Sequence, residues 1–320
     1  MIRSVVIGVG AHLPERVVPN DWFASELGLE TSDEWIRART GIRERRFAAE
    51  GELTSDLGIA AARDALSKAG VQADSLDALI VATTTPDQTF PSTAVKIQAA
   101  IGMGSGFAYD QMAACAGFVF ALASGDALIR SGQAKRVMVV GAETYSRILD
   151  FTDRGTCVLF GDGAGAVILD AQEGERGVLS TDLNSDGSQA GILYVDGGVS
   201  QTGAAGQLRM EGREVFRHAV EKLAATATNA LGKARLGHED VDWIVPHQAN
   251  VRIIEATARK LNVPMDRVVV TVGGHGNTSA ASIPLALNDA ARKGQLKQGD
   301  IVATEAIGGG LAWGSVIIRW

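Results

Sequence analysis

The segment DQMAACAGFVFALASGDALIRSG, residues 110 to 132, sets a lone cysteine, Cys115, among alanines and a glycine just ahead of an apolar run with helical spacing. Two readings fit. Free cysteine packs well as a small buried hydrophobe. At a helix start it is also a nucleophile, because the dipole and free N–H groups there favour the thiolate. Two further segments carry side chains able to work beside a thiol. WIVPHQAN ends a short apolar stretch on His247, and GGHGNTSAAS contains Asn277. Whether the three meet depends on the elements that hold them.

Those elements repeat. ALSKAGVQADSLDALIV, from Ala65, resembles ALGKARLGHEDVDWIV, from Ala230. DALIRSGQAKRVMVVGAE, from Asp126, resembles DAARKGQLKQGDIVATEA, from Asp289. Both pairs are offset by about 165 residues, and order and offset agree, which indicates a duplicated fold. GAGAVIL at 163–169 also resembles the final AWGSVII at 312–318. Each half alternates helical patterns with short apolar strands, predicted at Leu79–Ala82, Val137–Val140, Trp243–Val245 and Ile301–Thr304. That alternation predicts an α/β sheet fed by crossover helices. Two such halves related by a pseudo-twofold axis bring the Cys115 turn face to face with the Asn277 loop. The strand WIVP then delivers His247 at its C-terminal end, where α/β sheets place ligands. A cysteine, a histidine and an asparagine converge on one cleft.

Composition narrows the classes. The chain has 320 residues, 46% apolar and 21% charged, long enough for one large domain or two medium ones with substantial cores. The net charge of −7 supplies no global basic field, which argues against nucleic acid as a partner. No apolar run approaches the roughly 18 residues of a membrane helix, and the glycine-interrupted start MIRSVVIGVGAHLP reads as a strand and turn, not a leader. Two cysteines make no disulfide framework, so a cytoplasmic setting is expected. Cys157, in GTCVLFG, reads as buried and inert. His12, His218, His238, His247 and His275 show no metal-ligand spacing. VIGVGAHLP mimics a dinucleotide fingerprint but lacks its third glycine and meets Pro14 where a helix should open.

Taken together, TSDEWIRARTGIRERR, AACAGF, TDRGTCVLFGDGAGAVIL, VPHQANVRI, GHGNTSAASIPLAL and GGGLAWGS resemble β-ketoacyl-acyl-carrier-protein synthase III, in that family's order and over nearly the whole chain. The resemblance implies a thiolase-like α/β fold, with two pseudo-twofold-related halves, 1–174 and 175–320, in a five-layer αβαβα arrangement. It implies condensation of a short acyl-CoA, acetyl-CoA first, with malonyl-acyl-carrier protein, and no metal or other cofactor. It casts Cys115 as the acyl-accepting nucleophile, and His247 and Asn277 as donors to the enolate left by decarboxylation. The N–H groups of Cys115 and Gly309 would form the oxyanion hole for the acyl carbonyl. Trp35, with Arg39 and Arg154, would hold the coenzyme A adenine, and Asn250 a water or the pantetheine. Phe90 would close the acyl pocket of the other subunit of a homodimer. Arg252, Arg259 and Lys260, at helical spacing opposite Ile253, Ile254 and Leu261, would dock the acidic carrier protein together with Arg217.

Each has a plainer alternative: a helix-face aromatic for Trp35, a glycine turn for Gly309, a core side chain for Phe90, and a solvated face for the basic residues. The sequence also departs from the family pattern. Gly273–Gly274 precede HGN, Gln111 and Met112 precede the nucleophile turn, and Leu311 and Ala312 follow the glycines. These positions leave the acyl preference open. A degradative thiolase is disfavoured, since its C-terminal glycine loop carries a second cysteine and this one does not. A specialised-metabolism acyltransferase of the same family stays open, as do, more remotely, a Cys-His-Asn thioester hydrolase and a non-catalytic carrier-protein binder.

Overall fold

In the computed structural model, which describes residues 1–320, strands and helices alternate from end to end. The first half holds β1 (Ile2–His12), β2 (Arg16–Pro19), β3 (Glu44–Phe47), β4 (Ala78–Ala82), β5 (Phe107–Gln111), β6 (Arg136–Glu143) and β7 (Gly163–Glu173). The second holds β8 (Gly177–Ser185), β9 (Leu193–Val195), β10 (Leu208–Met210), β11 (Trp243–Pro246), β12 (Ile301–Gly308) and β13 (Ala312–Arg319). The four strands expected from apolar runs are β4, β6, β11 and β12, with β6 and β12 extending several residues further.

One sheet has the order β1-β7-β6-β4-β5 and the other the order β11-β12-β13-β8. Read from opposite ends, they are one pattern. In each, two parallel strands (β4 and β6, β11 and β12) are followed by two antiparallel ones (β7 and β1, β13 and β8). Even the extra edge strand β5 has a vestige, since Val268 makes an isolated parallel bridge to Ile244 of β11.

Helices Thr54–Ala69 and Thr93–Ile101 cover the outer face of the first sheet; Gly212–Ala234 and Val251–Lys260 cover that of the second. Between the sheets lie Gly117–Arg130 and Ser282–Arg292. The result is the five-layer, thiolase-like arrangement. A helix packed between two sheets needs apolar residues on most of its circumference. In GFVFALASGDALIR, Phe118, Val119, Leu122 and Ile129 are buried, each worth roughly 1.5–3 kcal/mol on burial.

Both central helices open through a tight 3₁₀ turn, Ala114–Ala116 and Ser279–Ala281, and these turns pack on each other at the centre of the molecule. Each also carries a left-handed residue that is not glycine: Ala114 at φ 46° and Ser279 at φ 49°. Such backbone is uncommon outside glycine, and its recurrence at equivalent places marks a geometry both halves keep. Each turn leans on a strand of the opposite half. At Gly141 of β6 an added Cβ would sit 2.3 Å from Ala280 O, and at Gly308 of β12 it would sit 2.5 Å from Cys115 N.

Candidate active site

A cavity of about 710 Å³ opens between the halves, lined among others by Cys115, His247 and Asn277. All three are more than nine-tenths buried. The turn 114–116 supplies the thiol, the end of β11 the imidazole, and the loop before turn 279–281 the carboxamide.

The helix start does not make Cys115 a resting thiolate, contrary to the expectation from its position. Burial pushes the thiol up to about 11, and nearby Glu143 adds to the rise. The nearby hydroxyls of Ser279 and Tyr145 oppose the shift without cancelling it. Desolvation outweighs the helix end. The N–H groups of Cys115 and of Gly309 make no hydrogen bond to another backbone group. Gly308→Ala tests the close packing of this loop on the nucleophile turn. Its Cβ can be relieved only by backbone movement, so about 1–3 kcal/mol of stability and about 10²-fold in turnover are expected to be lost. A thermal melt and a steady-state rate measure both, and wild-type turnover in this variant contradicts the packing.

His247 is neutral: burial holds its imidazolium down to about 4. Its Nδ1 lies 2.6 Å from Ser282 Oγ, which in turn accepts the Gln248 N–H at 3.3 Å. The Ser282 hydroxyl has Nδ1 as its only acceptor, so the hydrogen-bond network assigns its hydrogen there and the imidazole proton to Nε2. The fully buried Gln248 pins the surrounding backbone, donating to Pro246 O and Val269 O and accepting from Thr271 N and Val272 N. Asn277 is oriented as firmly. Its Oδ1 accepts the Ser279 N–H at 2.9 Å, which leaves the Nδ2 hydrogens for the cavity. Its backbone is tied to Leu159 O and Gly161 N. Behind them stands Arg45, wholly buried, donating to Val158 O, Val18 O and Asn20 Oδ1 and lowered to about 10 by desolvation.

At the cavity mouth two guanidiniums lie close to the Trp35 ring, Arg39 at 4.7 Å and Arg154 at 4.8 Å from its centroid. Arg39 follows Trp35 by one helical turn, on the same face. Arg154 donates to Glu30 O, bringing a second segment onto the ring. Asn250 lines the cavity too, but its Oδ1 is spent capping helix 251–260, where it accepts the Arg252 N–H, leaving only its amide hydrogens for a ligand. Arg252 reaches the cavity; Arg259 and Lys260 are exposed on the same helix. Arg217 is engaged by Glu214 at 2.6 Å. Phe90 departs from its core reading: it is 82% exposed and does not line this chain's cavity. Cys157 is buried, with its thiol raised to about 12 chiefly by desolvation.

Several residues escaped the sequence reading. Arg213 lines the cavity. Glu143, ending β6, is fully buried beneath the nucleophile and accepts hydrogen bonds from Thr83, Thr84, Thr85 and Ser279. A carboxylate closing an apolar strand at its C-terminal end was the available signal.

Comparison with known proteins identifies the family. The 3-oxoacyl-[acyl-carrier-protein (ACP)] synthase III family matches residues 109–187, and its C-terminal counterpart matches 231–320. The chain is 64% identical to the β-ketoacyl-[acyl-carrier-protein] synthase III of Paracoccus denitrificans, with 100% of both covered. It superposes on the 3-oxoacyl-[acyl-carrier-protein] synthase III of Aquifex aeolicus with a TM-score of 0.94 and 45% identity, covering 99% of this chain and 100% of that one. It also superposes on the priming β-ketosynthase of the R1128 polyketide pathway, with a TM-score of 0.92, 35% identity and 98% and 95% coverage.

Proposed function

The chain belongs to the β-ketoacyl-[acyl-carrier-protein] synthase III family, and from that we propose how its own residues condense an acyl-CoA with malonyl-acyl-carrier protein. The reaction is a decarboxylative Claisen condensation giving 3-oxoacyl-acyl-carrier protein, coenzyme A and CO2, and we take acetyl-CoA as the starter. The observation that carries the assignment is the meeting of one buried thiol with two neutral, oriented N–H donors in one cavity.

Cys115 attacks the acyl-CoA thioester and keeps the acyl group as a thioester of similar energy. The oxyanion of that step falls to the Cys115 and Gly309 N–H groups; their lack of a backbone acceptor supports this role. Malonyl thioester then loses CO2, and charge collects on its carbonyl oxygen. His247 Nε2–H and Asn277 Nδ2–H stabilise that enolate. A neutral imidazole suits the task, because it donates without having to give up a proton. The carbanion attacks the acyl group, and the Cys115 sulfur leaves.

Trp35 offers a stacking face for the adenine of coenzyme A, and Arg39, Arg154, Arg213 and Arg252 supply positive charge for its phosphates. Trp35→Ala is expected to raise KM for acyl-CoA about tenfold and to change kcat less than threefold, since base stacking is worth about 1–3 kcal/mol. Steady-state kinetics decide; a drop confined to kcat removes Trp35 from the binding role. Arg252, Arg259 and Lys260, with Arg217, form the landing face for the acidic carrier protein, and Asn250 offers its amide hydrogens to the pantetheine.

A second copy of the chain completes the enzyme. β5 is an open sheet edge, and Phe107 and Met112 beside it are 42% and 76% exposed, as is Phe90 in greater degree. Pairing of this edge in a homodimer would cover them and bring Phe90 to the partner's acyl pocket. The halves 1–174 and 175–320 are the repeat units, and the substrates place the reaction in the cytoplasm. The functional test is product stoichiometry from acetyl-CoA and malonyl-acyl-carrier protein. Equal amounts of 3-oxoacyl-carrier protein, coenzyme A and CO2 are expected, whereas coenzyme A and free acetate alone identify a hydrolase.

A further inference from the structure

The nucleophile raises a problem of proton disposal. A thiol held up at about 11 must lose its proton as it attacks. His247 cannot take it directly, because Nδ1 is occupied by the Ser282 hydroxyl and Nε2 already bears hydrogen. The Tyr145 phenol is buried and raised well above its ordinary range, so it is a donor, not a base. No lysine carries charge to the site.

One acceptor remains within reach. Turn 279–281 packs on turn 114–116, which brings Ser279 close to the Cys115 thiol, and the Ser279 hydroxyl donates to Glu143 Oε1 at 3.1 Å. Ser279 is fixed by its left-handed backbone and by the bond of its N–H to Asn277 Oδ1. Glu143 has no exposure and no cation beside it. Its negative charge is supported instead by neutral donors from one short segment: the hydroxyls of Thr83, Thr84 and Thr85 and the N–H groups of Thr84 and Thr85. We propose that Glu143, acting through the Ser279 hydroxyl, accepts the Cys115 proton when the acyl-enzyme forms and returns it when the thioester is broken. This rests on the reading of Cys115 as the acylated nucleophile.

The steps balance. As the bond from Sγ to the acyl carbon forms, the thiol proton passes to Ser279 Oγ and the Ser279 hydrogen to Glu143 Oε1. The bond to coenzyme A breaks, and its thiolate takes a proton from solvent. During condensation the carbon–carbon bond forms, the bond to Sγ breaks, and Glu143 returns its proton along the same path. Burial, opposed by the threonine and serine donors, sets Glu143 at about 7, suited to accepting a proton near neutrality and releasing it again. The titratable groups facing it are Cys115 and Tyr145.

The test is the rate at which acetyl-CoA acylates Cys115, followed by intact mass between pH 5.5 and 9, beside the rate of CO2 release from malonyl-acyl-carrier protein. In the unsubstituted protein, acylation should rise with pH through an inflection near 7 as Glu143 ionises. Glu143→Gln should acylate about 10²-fold more slowly and lose the inflection, with acylation suffering at least tenfold more than decarboxylation. Ser279→Ala should give the same selective loss, and it decides the matter if the glutamine variant does not fold. Acylation at the original rate with the original pH profile in either folded variant overturns the relay. So does an equal fall of both rates with the inflection retained, which signifies a structural role alone. If the unsubstituted protein forms no adduct on Cys115, the nucleophile assignment itself is wrong.

Discussion

Cys115→Ser is expected to abolish condensation, lowering turnover by about 10⁴-fold or more and leaving no acyl adduct after exposure to acetyl-CoA. The argument rests on what surrounds the side chain. A serine hydroxyl fits the same space, so the core cluster that includes Ala116, Phe118 and Val119 is undisturbed. Yet a hydroxyl is far harder to ionise than a thiol, and a site that already raises the thiol to about 11 would raise the hydroxyl further. The neighbouring hydroxyls of Ser279 and Tyr145 and a carboxylate reached through one of them are too weak to activate it. Intact mass and turnover read the result together. A serine variant retaining even a hundredth of the activity would place the acyl group elsewhere.

Asn277→Asp is expected to slow decarboxylation of malonyl-acyl-carrier protein by about 10³-fold, with a much smaller effect on acylation of Cys115. The substitution is informative because it keeps half of what Asn277 does. Its Oδ1 accepts the Ser279 N–H at 2.9 Å, and a carboxylate oxygen would accept the same bond, so the loop should hold its shape. What disappears is the Nδ2 donor, replaced by an anion that repels both the malonyl carboxylate and the enolate. Separate measurement of CO2 release and adduct formation distinguishes the two half-reactions. Loss of acylation with decarboxylation intact would reverse the roles given to Cys115 and Asn277.

The legibility of this molecule in its sequence was uneven, for physical reasons. The duplication showed because strand and helix segments are long enough to keep a pattern, and it placed Cys115, His247 and Asn277 in one cleft. The two left-handed turn residues could not be foreseen. Ala114 and Ser279 are ordinary residue types, and only the packing of one turn on the other imposes their backbone. Charge was harder to read than position. A helix start suggested a thiolate at Cys115, but the effect of a dipole depends on how much water remains, which sequence does not disclose. Ser282 goes unmarked in the sequence, although its hydroxyl lies 2.6 Å from Nδ1 of His247, 35 positions away. Glu143 goes unmarked in the sequence, because the threonines that hydrogen-bond its carboxylate, Thr83 to Thr85, follow a different strand. Phe90 has a core side chain as its plainer reading and lies exposed instead, since the apolar character of one residue does not disclose whether the chain folds over it.

The most direct test of the central claim is mass spectrometry of the unsubstituted protein after brief exposure to acetyl-CoA, with the modified peptide mapped, followed by addition of malonyl-acyl-carrier protein. A single acetyl group on Cys115, removed on that addition with an equal amount of 3-oxobutanoyl-carrier protein formed, is the expected result. An acetyl group on any other residue, or one that Cys115 yields only to water, would contradict it.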